Sequence, residues 1–481
     1  MTEKRSTISF VIDGQIKDLH FHAGSEFAPT TTVLNFLRAL PGHKGTKEGC
    51  AEGDCGACTV VIGDLYSDGK IGYRSIDSCL IFLPFLHGKQ LITVENLRSS
   101  SGALHPVQHA MVESNGSQCG FCTPGFVMSL FALSKNSIKP SRDLIDEALT
   151  GNLCRCTGYR SIVEAAANAC AHRSIDQFTE DEPRIVKLLQ SISRTSLFLQ
   201  TEQQLFVRPA SLGEALSYKH GHPDAMVISG ATDVALRVTK GHELLQHIID
   251  ISDLDELNGV SEGAEVVRIG AGTTFSELMP KIEKYFPALH EMIGLFGSRQ
   301  IRNVATIGGN LGTASPVGDM LPVLMAYNAR VVLESLNGRR EVPLDEYVVG
   351  YRKTVRKHDE LITSIIIPKL TNGVEVKSYK VSKRKDLDIS TVSAGFRLEL
   401  KGGSTVDAVK LAYGGMADRT KRARSTESFL VGRPWERSVV EEAMQLIDSE
   451  FTPISDARAE AGVRRIAARN LLLKFWSETA Q

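Results

Sequence analysis

Apolar and polar positions alternate at the start of the chain. Ile8, Phe10 and Ile12 alternate with Ser9 and Val11, and Asp13-Gly14 offers a tight turn before Ile16, Leu19 and Phe21, which predicts a hairpin. Thr31 or Thr32 can cap a short helix through Val33–Leu40 that ends at Pro41-Gly42. Thr59–Ile62 and Leu91–Val94 read as further strands, so residues 1–93 predict a mixed sheet crossed by one helix. From residue 94 the period turns helical. Pro106 suits the first turn of a helix through Val107, Ala110 and Met111. Phe126–Leu133 is apolar throughout, Ser141 can cap Leu144–Leu149 before Gly151, and another helix follows from Ser161.

Residues 173–198 are mostly polar around Glu180–Pro183 and read as an interdomain linker with at most a short helix. Strand and helix alternate over residues 199–371. Met226–Ser229 leads into the turn Gly230–Asp233, and Val266–Ile269 leads into Gly270–Phe275 and a helix from Ser276. Over residues 372–481, Ser378–Ser382, Val392–Leu400 and Val406–Ala412 predict three strands. Two helices follow, around Glu436–Glu450 and Asp456–Trp476. In the second, Val463, Ile466, Ala467, Leu471, Leu472 and Phe475 form a core-facing stripe. The fold class is multidomain α+β. It comprises a β-grasp domain (1–93), an all-α four-helix domain (94–172), the linker, a two-part α+β domain (199–371) and a C-terminal three-stranded sheet with helices (372–481). No repeat or low-complexity tract is present.

Composition changes this picture little. Over 481 residues, 42% are hydrophobic and 23% charged, and 55 Lys plus Arg balance 56 Asp plus Glu. That balance gives no electrostatic case for nucleic-acid or membrane binding. No apolar run approaches the ~20 residues of a membrane span, and no hydrophobic signal segment follows the charged N-terminus. Eight of nine cysteines fall into two tetrads, which suits a reducing, cytoplasmic setting with metal-bound thiolates.

Cys50, Cys55 and Cys58 are spaced C-x4-C-x2-C, and Cys79 follows after 20 intervening residues. This is the plant-type [2Fe–2S] ferredoxin pattern, with one loop giving three thiolates and a distant segment the fourth. Gly49, Gly53 and Gly56, with Ala51 and Ala57, keep bulk away and let amides turn inward. Structural zinc is the alternative, but its ligands usually come as two short pairs, and this tetrad has one. Cys119-x2-Cys122 and Cys154-x-Cys156 form the second tetrad, each pair at a helix–loop junction. Two facing helical hairpins would converge these thiolates for a second [2Fe–2S] cluster, with zinc again the alternative. Cys170 reads as a buried, inert thiol.

Gly270-Ala-Gly272 opens like a dinucleotide fingerprint, but Phe275 takes the place of its third glycine, so the stretch reads as a strand–turn–helix with a Thr or Ser cap. A better phosphate cradle is Ala305–Asn310. Its paired glycines would let consecutive amides face an anion, and Thr306 and Asn310 would add neutral donors. Asp319 either accepts from a ribose hydroxyl or caps the helix beginning near Met320.

The runs Glu48–Cys58, Gln118–Gly125 and Gly151–Tyr159 resemble the three cysteine signatures of the molybdenum hydroxylases. Ala305–Asn310 and Thr313–Asp319 resemble their FAD-domain signatures. Two iron–sulfur domains fused to an FAD domain, with no molybdopterin-binding region, is similar to the small subunits of the bacterial xanthine dehydrogenases. The resemblance implies electron transfer from a molybdopterin-binding large subunit that hydroxylates hypoxanthine and xanthine. Electrons would pass the Cys119/Cys122/Cys154/Cys156 cluster, then the Cys50/Cys55/Cys58/Cys79 cluster, then FAD, and reach NAD+. A heterotetramer of two small and two large subunits is implied. The alternative is the same relay serving an aldehyde- or N-heterocycle-oxidising enzyme. No catalytic residue is assigned to this chain; Gln118 would lie near the partner's molybdopterin. Val227, Ile228, Ser229, Gly230, Ala231, Thr232, Asp233 and Val234 would line the FAD. Phe296 would pack on the flavin ring, and Thr306, Ile307, Gly308, Gly309, Asn310 and Asp319 would hold the pyrophosphate and ribose. Ile362 and Lys380 would complete the pocket. Asp233, where a glutamate often stands, and Tyr351 match positions near the nicotinamide, and Lys383–Asp388 matches a variable loop over the flavin. Without the resemblance, Phe296 reads as a core aromatic, Lys380 as a solvated charge and Tyr351 as a surface loop residue.

Overall fold

The computed structural model describes residues 5–99, 101–172 and 175–480; the remainder of the expected domain spans, residues 173 and 174 of the linker among them, lies outside the described residues. The chain divides into two compact units. One runs to Ala215 and takes in Asp224–Leu254 and Gly297–Ala305; the other comprises Leu216–Pro223, Asp255–Phe296 and the chain from Thr306 onward.

The first unit opens with β1 (Thr7–Ile12), β2 (Gln15–His20), β3 (Thr59–Leu65), β4 (Ile71–Asp77) and β5 (Gln90–Ile92), in the order β2-β1-β5-β3-β4. Strands β1 and β5 run parallel and the other pairs antiparallel. The β1–β2 turn puts Asp13 and Gly14 at φ 52° and 71°, the backbone that hairpin twist demands. Helix α1 (Val33–Ala39) is capped by Thr32, whose hydroxyl accepts from the Asn35 amide at 3.2 Å, and buries Val33, Leu34, Phe36 and Leu37. The free edge of β4 is partly closed by side chains. Glu182 accepts from the Ile71 amide, and Asn136 and Asn303 donate to the Tyr73 and Ser75 carbonyls, so side chains cover part of that edge.

Four helices follow: α2 (Pro106–Glu113), α3 (Thr123–Asn136), α4 (Arg142–Leu149) and α5 (Arg160–Ala169). Gly151 does not stop α4 with a left-handed turn, since its φ is not positive. A Cβ there would stand 2.1 Å from Gln300 Oε1, so closeness to a neighbour is what keeps the position bare.

The expected linker is corrected by two helices, α6 (Gln177–Glu180) and α7 (Glu182–Ser191). Phe178, Ile185 and Leu189 are buried in the helical-domain core, and the Phe178 and Phe131 rings lie 4.8 Å apart. Asp176 caps α6 and accepts from His105 and Lys135 at 2.9 and 2.8 Å. Few apolar residues at i, i+4 spacing inside a polar stretch suffice here because a core already waits for them. The unit ends with β6 (Leu197–Gln200), β7 (Leu205–Arg208), β8 (Met226–Ile228) and β9 (His247–Asp250), ordered β6-β7-β9-β8.

The second unit holds an antiparallel sheet of β10 (Val260–Glu262), β11 (Val266–Gly270), β12 (Arg330–Ser335), β13 (Gly338–Pro343) and β16 (Leu361–Pro368), ordered β10-β11-β16-β12-β13. A small hairpin pairs β14 (Val348–Gly350) with β15 (Lys353–Thr354). The C-terminal sheet is β17 (Val374–Val381), β18 (Val392–Lys401), β19 (Thr405–Gly414) and the two-residue β20 (Lys421–Arg422), one short edge strand beyond the three anticipated. The stripe read on the last helix is half corrected. Ala461–Thr479 buries Ala468, Leu471, Leu472 and Phe475, but Val463 and Ile466 are 51% and 52% exposed. Arg464 goes inward instead, donating to the Thr391 and Gly415 carbonyls and pairing with Asp456.

Candidate functional site

The loop after α1 carries Cys50, Cys55 and Cys58, and Cys79 follows the end of β4. All nine cysteines of the chain are free thiols. The Glu52 and Asp54 amides donate to Cys50 Sγ at 3.4 and 3.3 Å, which the left-handed Ala51 and Gly53 (φ 55° and 79°) make possible. The Cys55 thiol, then these amides, bring Cys50 down to about 5 against the opposing effect of burial. Cys55 and Cys58 are pushed upward by their neighbours Cys50 and Cys79 and by burial. The thiols thus interact as the pairs Cys50/Cys55 and Cys58/Cys79.

In the second tetrad, Cys119 and Cys122 sit at the N-terminus of α3, and Cys154 and Cys156 precede α5. Cys119 and Cys156 Sγ are 3.5 Å apart, and Cys122 interacts with Cys154. The amides of Cys156 and Thr157 donate to Cys154 Sγ at 3.4 Å, and the Thr157 hydroxyl stands 3.1 Å away. Burial opposes ionisation of Cys154, but the Thr157 hydroxyl and the two amides bring it to about 7. Among the described residues, no three or more His, Cys, Asp or Glu side chains gather as ligands of a single ion. The sulfurs draw together in twos, and a di-iron core takes two thiolates on each iron. Amide donors aimed at sulfur complete a donor set that fits such a cluster.

The tetrads differ in exposure. Cys58 and Cys79 are buried, whereas Cys119, Cys156, Gln118, Phe121 and Tyr159 face solvent. Their loops are joined directly, because the Leu153 amide donates to the Cys55 carbonyl at 3.0 Å.

The expected FAD residues fall in both units. In the first, Val227 and Ile228 end β8, Ser229–Asp233 turn, and Val234 starts the helix Val234–Thr239. Ala231 is left-handed at φ 56°. Gly230 lies so close to the Val304 carbonyl that a Cβ would stand 1.8 Å from it. Ser229, Gly230 and Ala231 line a small cavity with Phe82, Phe206 and Asp250, and the buried Ser229 hydroxyl has no hydrogen-bond partner.

In the second unit the amide cradle is corrected. Ile307 N donates to the Thr273 carbonyl, Gly308 N to the Ala271 carbonyl, Gly309 N to Thr306 Oγ1 and Asn310 N to the Thr306 carbonyl. Each amide is already committed inside the chain. Gly308 is bare because a Cβ would meet Ala271 at 2.6 Å. Asn310 Oδ1 is the buried polar atom left without a partner, so side-chain polarity rather than amides remains for a ligand. Gly270 and Gly272 belong to a strand–turn–helix, with a capping box between Thr274 and Glu277.

Asp319 makes no capping bond to the helix Met320–Ala326. Its carboxylate accepts from Lys380 Nζ at 2.9 Å and from the Ser390 hydroxyl, and Lys380 also donates to the Leu295 carbonyl at 3.0 Å. Both members of the pair are buried, so neither the capping reading of Asp319 nor the solvated reading of Lys380 holds. Ile362 is buried in β16, Phe296 is half-buried with its ring 4.8 Å from Phe275, and Tyr351 is exposed beside the β14–β15 hairpin. Sequence reasoning missed Ser390, and also Asn152 and Gln300, which meet between the cluster loops. No short-range pattern marks any of the three.

The thiol tetrads and the α+β fold define an iron–sulfur flavoprotein chain. Residues 93–167 match the [2Fe-2S] binding domain, 200–370 the FAD binding domain in molybdopterin dehydrogenase, and 377–479 the CO dehydrogenase flavoprotein C-terminal domain. The xanthine dehydrogenase of Emericella nidulans is 35% identical over 88% of this chain and 35% of its own length. The xanthine dehydrogenase/oxidase of Gallus gallus is 33% identical over 88% and 36%. The chain therefore spans about a third of the length of these curated relatives. A carbon monoxide dehydrogenase chain from Hydrogenophaga pseudoflava, in a structure lacking the Mo-pyranopterin moiety of its cofactor, superimposes with TM-score 0.54 at 28% identity. It covers 57% of this chain and 96% of that one. The matched domains are those of the molybdenum hydroxylase family, an iron–sulfur domain and an FAD-binding domain on one chain.

Proposed function

We propose that this chain is the electron-transfer subunit of a xanthine dehydrogenase. It would take electrons from a molybdopterin-binding partner that hydroxylates hypoxanthine and xanthine, and deliver them through two [2Fe–2S] clusters and FAD to NAD+. When bound, these groups supply one-electron chemistry at iron and two-electron chemistry at the flavin. The observation that carries the reading is the hydrogen bond from Leu153, next to Cys154, to the carbonyl of Cys55, which joins the loops of the two tetrads directly. Exposure of Cys119, Cys156, Phe121 and Gln118 supports docking of the partner at the second tetrad, which makes that cluster the entry point. Burial of Cys58 and Cys79 supports an internal station. For FAD, the unpartnered Ser229 hydroxyl and Asn310 Oδ1 support the assignment of residues 227–234 and 306–310. Phe296, Asp319, Ile362 and Lys380 are retained as pocket residues, with Asp233 and Tyr351 towards the nicotinamide. A heterotetramer with two large subunits completes the proposal.

Purification of the native complex tests this. Iron, acid-labile sulfide and flavin are quantified, and two distinct EPR signals are expected on reduction. Xanthine-driven NAD+ reduction should exceed turnover with aldehydes or N-heterocycles. Zinc in place of iron would remove the relay; preference for an aldehyde or N-heterocycle would reassign the partner, and O2 in place of NAD+ the acceptor.

A further inference from the structure

The short helix Arg299–Arg302 lies inside the first unit and touches both thiol-bearing domains. Arg302 pairs with Glu147, Asn303 donates to the Ser75 carbonyl, and Ile301 packs where a Cβ on Gly53 would stand 2.9 Å from it. Gln300 is fully buried. Its Nε2 donates to Asn152 Oδ1 at 3.0 Å and to Ser129 Oγ at 3.2 Å, and the Ser129 hydroxyl donates to Asn152 Oδ1 at 2.6 Å. Asn152 Nδ2 in turn donates to the Gly56 carbonyl at 3.0 Å and to Thr59 Oγ1 at 3.1 Å. Asn152 stands two residues before Cys154, and Gly56 follows Cys55.

The sense of this network is set at one end. An amide side chain offers two acceptor lone pairs and two donors, and Asn152 uses all four. Turned over, it would aim NH2 at the NH2 of Gln300 and its oxygen at the Gly56 carbonyl, two like-polarity contacts in a buried site. The Gly56 carbonyl can only accept, and donation from Gln300 and Ser129 to Oδ1 reinforces the orientation in which Asn152 grips Gly56. The packing leaves no slack: a Cβ on Gly56 would meet the Gly151 carbonyl at 2.3 Å, and one on Gly125 the Gly56 carbonyl at 2.1 Å.

We propose that Gln300 is a positioning residue for electron transfer between the two clusters: by donating to Asn152 it holds the Cys154 loop in register on the Cys55 loop. The proposal rests on the reading of both tetrads as [2Fe–2S] sites. Tunnelling falls off steeply with separation, so a loosened register slows transfer without emptying either site.

The test compares Gln300→Glu with Gln300→Leu in the full-length, iron-loaded chain. Glutamate keeps the shape but not the donor, and its carboxylate faces Asn152 Oδ1. With the carboxylate ionised, Asn152 relieves that contact by turning over and releasing Gly56, and the variant is read at alkaline pH because burial favours the protonated acid, which could still donate. Leucine removes the Gln300 donor and leaves Ser129 as the remaining donor to Asn152 Oδ1. Both variants should retain the iron content and visible spectrum of the wild type. In the fully reduced Glu variant the magnetic splitting between the two cluster signals should weaken, and flash-initiated equilibration between clusters should slow by about tenfold or more. The Leu variant, which loses the donor without gaining a charge, should change in the same direction in both, by a smaller factor. Wild-type splitting and rate in Gln300→Glu would overturn the inference, whereas a wild-type chain without iron would overturn the cluster reading instead. Should Gln300→Glu fail to accumulate, Ser129→Ala added to Gln300→Leu leaves Asn152 Oδ1 with no donor. Weakened splitting in that double variant supports the inference, and unchanged splitting overturns it.

Discussion

Cys79 is 1% exposed and reaches the first tetrad from a segment separate from the loop that carries the other three thiols. Serine at this position offers a poor replacement for a soft thiolate. Cys79→Ser is expected to lower iron to about half of the wild-type content and to remove one of two EPR signals, leaving the second tetrad's signal intact. His87 gives a pH dependence. Its Nδ1 accepts from the Ser9 amide at 3.0 Å and its Nε2 donates to the Ser193 carbonyl at 3.0 Å. Burial, then the nearby Arg208 charge, lowers its pKa to about 4 from an ordinary value near ~6.5. Between these values the unfolded chain binds a proton that the folded chain does not, so stability falls as pH drops through the window. The loss amounts to at most about 3 kcal/mol. Thermal melts from pH 6.5 to 4 should show a shallower decline for His87→Gln than for the wild type.

Among elements, the junction of β8 with its following turn is the most sharply constrained. Gly230 faces the Val304 carbonyl, and a methyl group there would overlap the backbone of Val304 and crowd that of Ala305. Neither partner is a flexible side-chain end, so the turn itself must move. Gly230→Ala should therefore lower the flavin-to-iron ratio of purified protein while leaving iron per chain unchanged; equal loss of both would indicate general misfolding. Helix α3 shows the opposite economy of design. It is buried over Gly125–Leu133 and holds Cys122 at its N-terminus and Ser129 in its middle, so one rigid element serves a thiolate and a hydrogen-bond network together.

Across the molecule, sequence-distant groups are tied by buried ion pairs. Arg208, at the end of β7, donates to Asp250 at 2.7 and 2.9 Å, to Asp253 at 2.8 Å and to the Pro84 carbonyl at 2.7 Å. Lys89 adds a second contact to Asp253. Pro84 lies shortly after Cys79, and Asp250 lines the cavity beside Ser229 and Gly230, so one guanidinium links the segments proposed for the first cluster and for the flavin within the first unit. Removing one partner of such a set leaves buried charge behind. Arg208→Met should cost about 3–5 kcal/mol in denaturant unfolding, and Arg208→Lys should restore little of it, because lysine lacks the planar fork.

The local rules were legible from residues alone. Asp13-Gly14 made its hairpin, Thr32 and Ser141 capped their helices, and the cysteine spacings marked the loops whose amides turn towards sulfur, because turns, caps and tight loops are set by neighbours a few positions apart. Tertiary structure decided the rest. The segment around Phe178 and Ile185 folded because a core was already present to receive it. Arg464 displaced Val463 and Ile466 from the last helix's inner face because carbonyls of Thr391 and Gly415 stood there to be bonded. The amides of residues 307–310 turned to the chain itself rather than outward, and Lys380 found Asp319 across 61 positions. Contacts of that reach depend on which surfaces meet after folding, and no spacing along the chain encodes them.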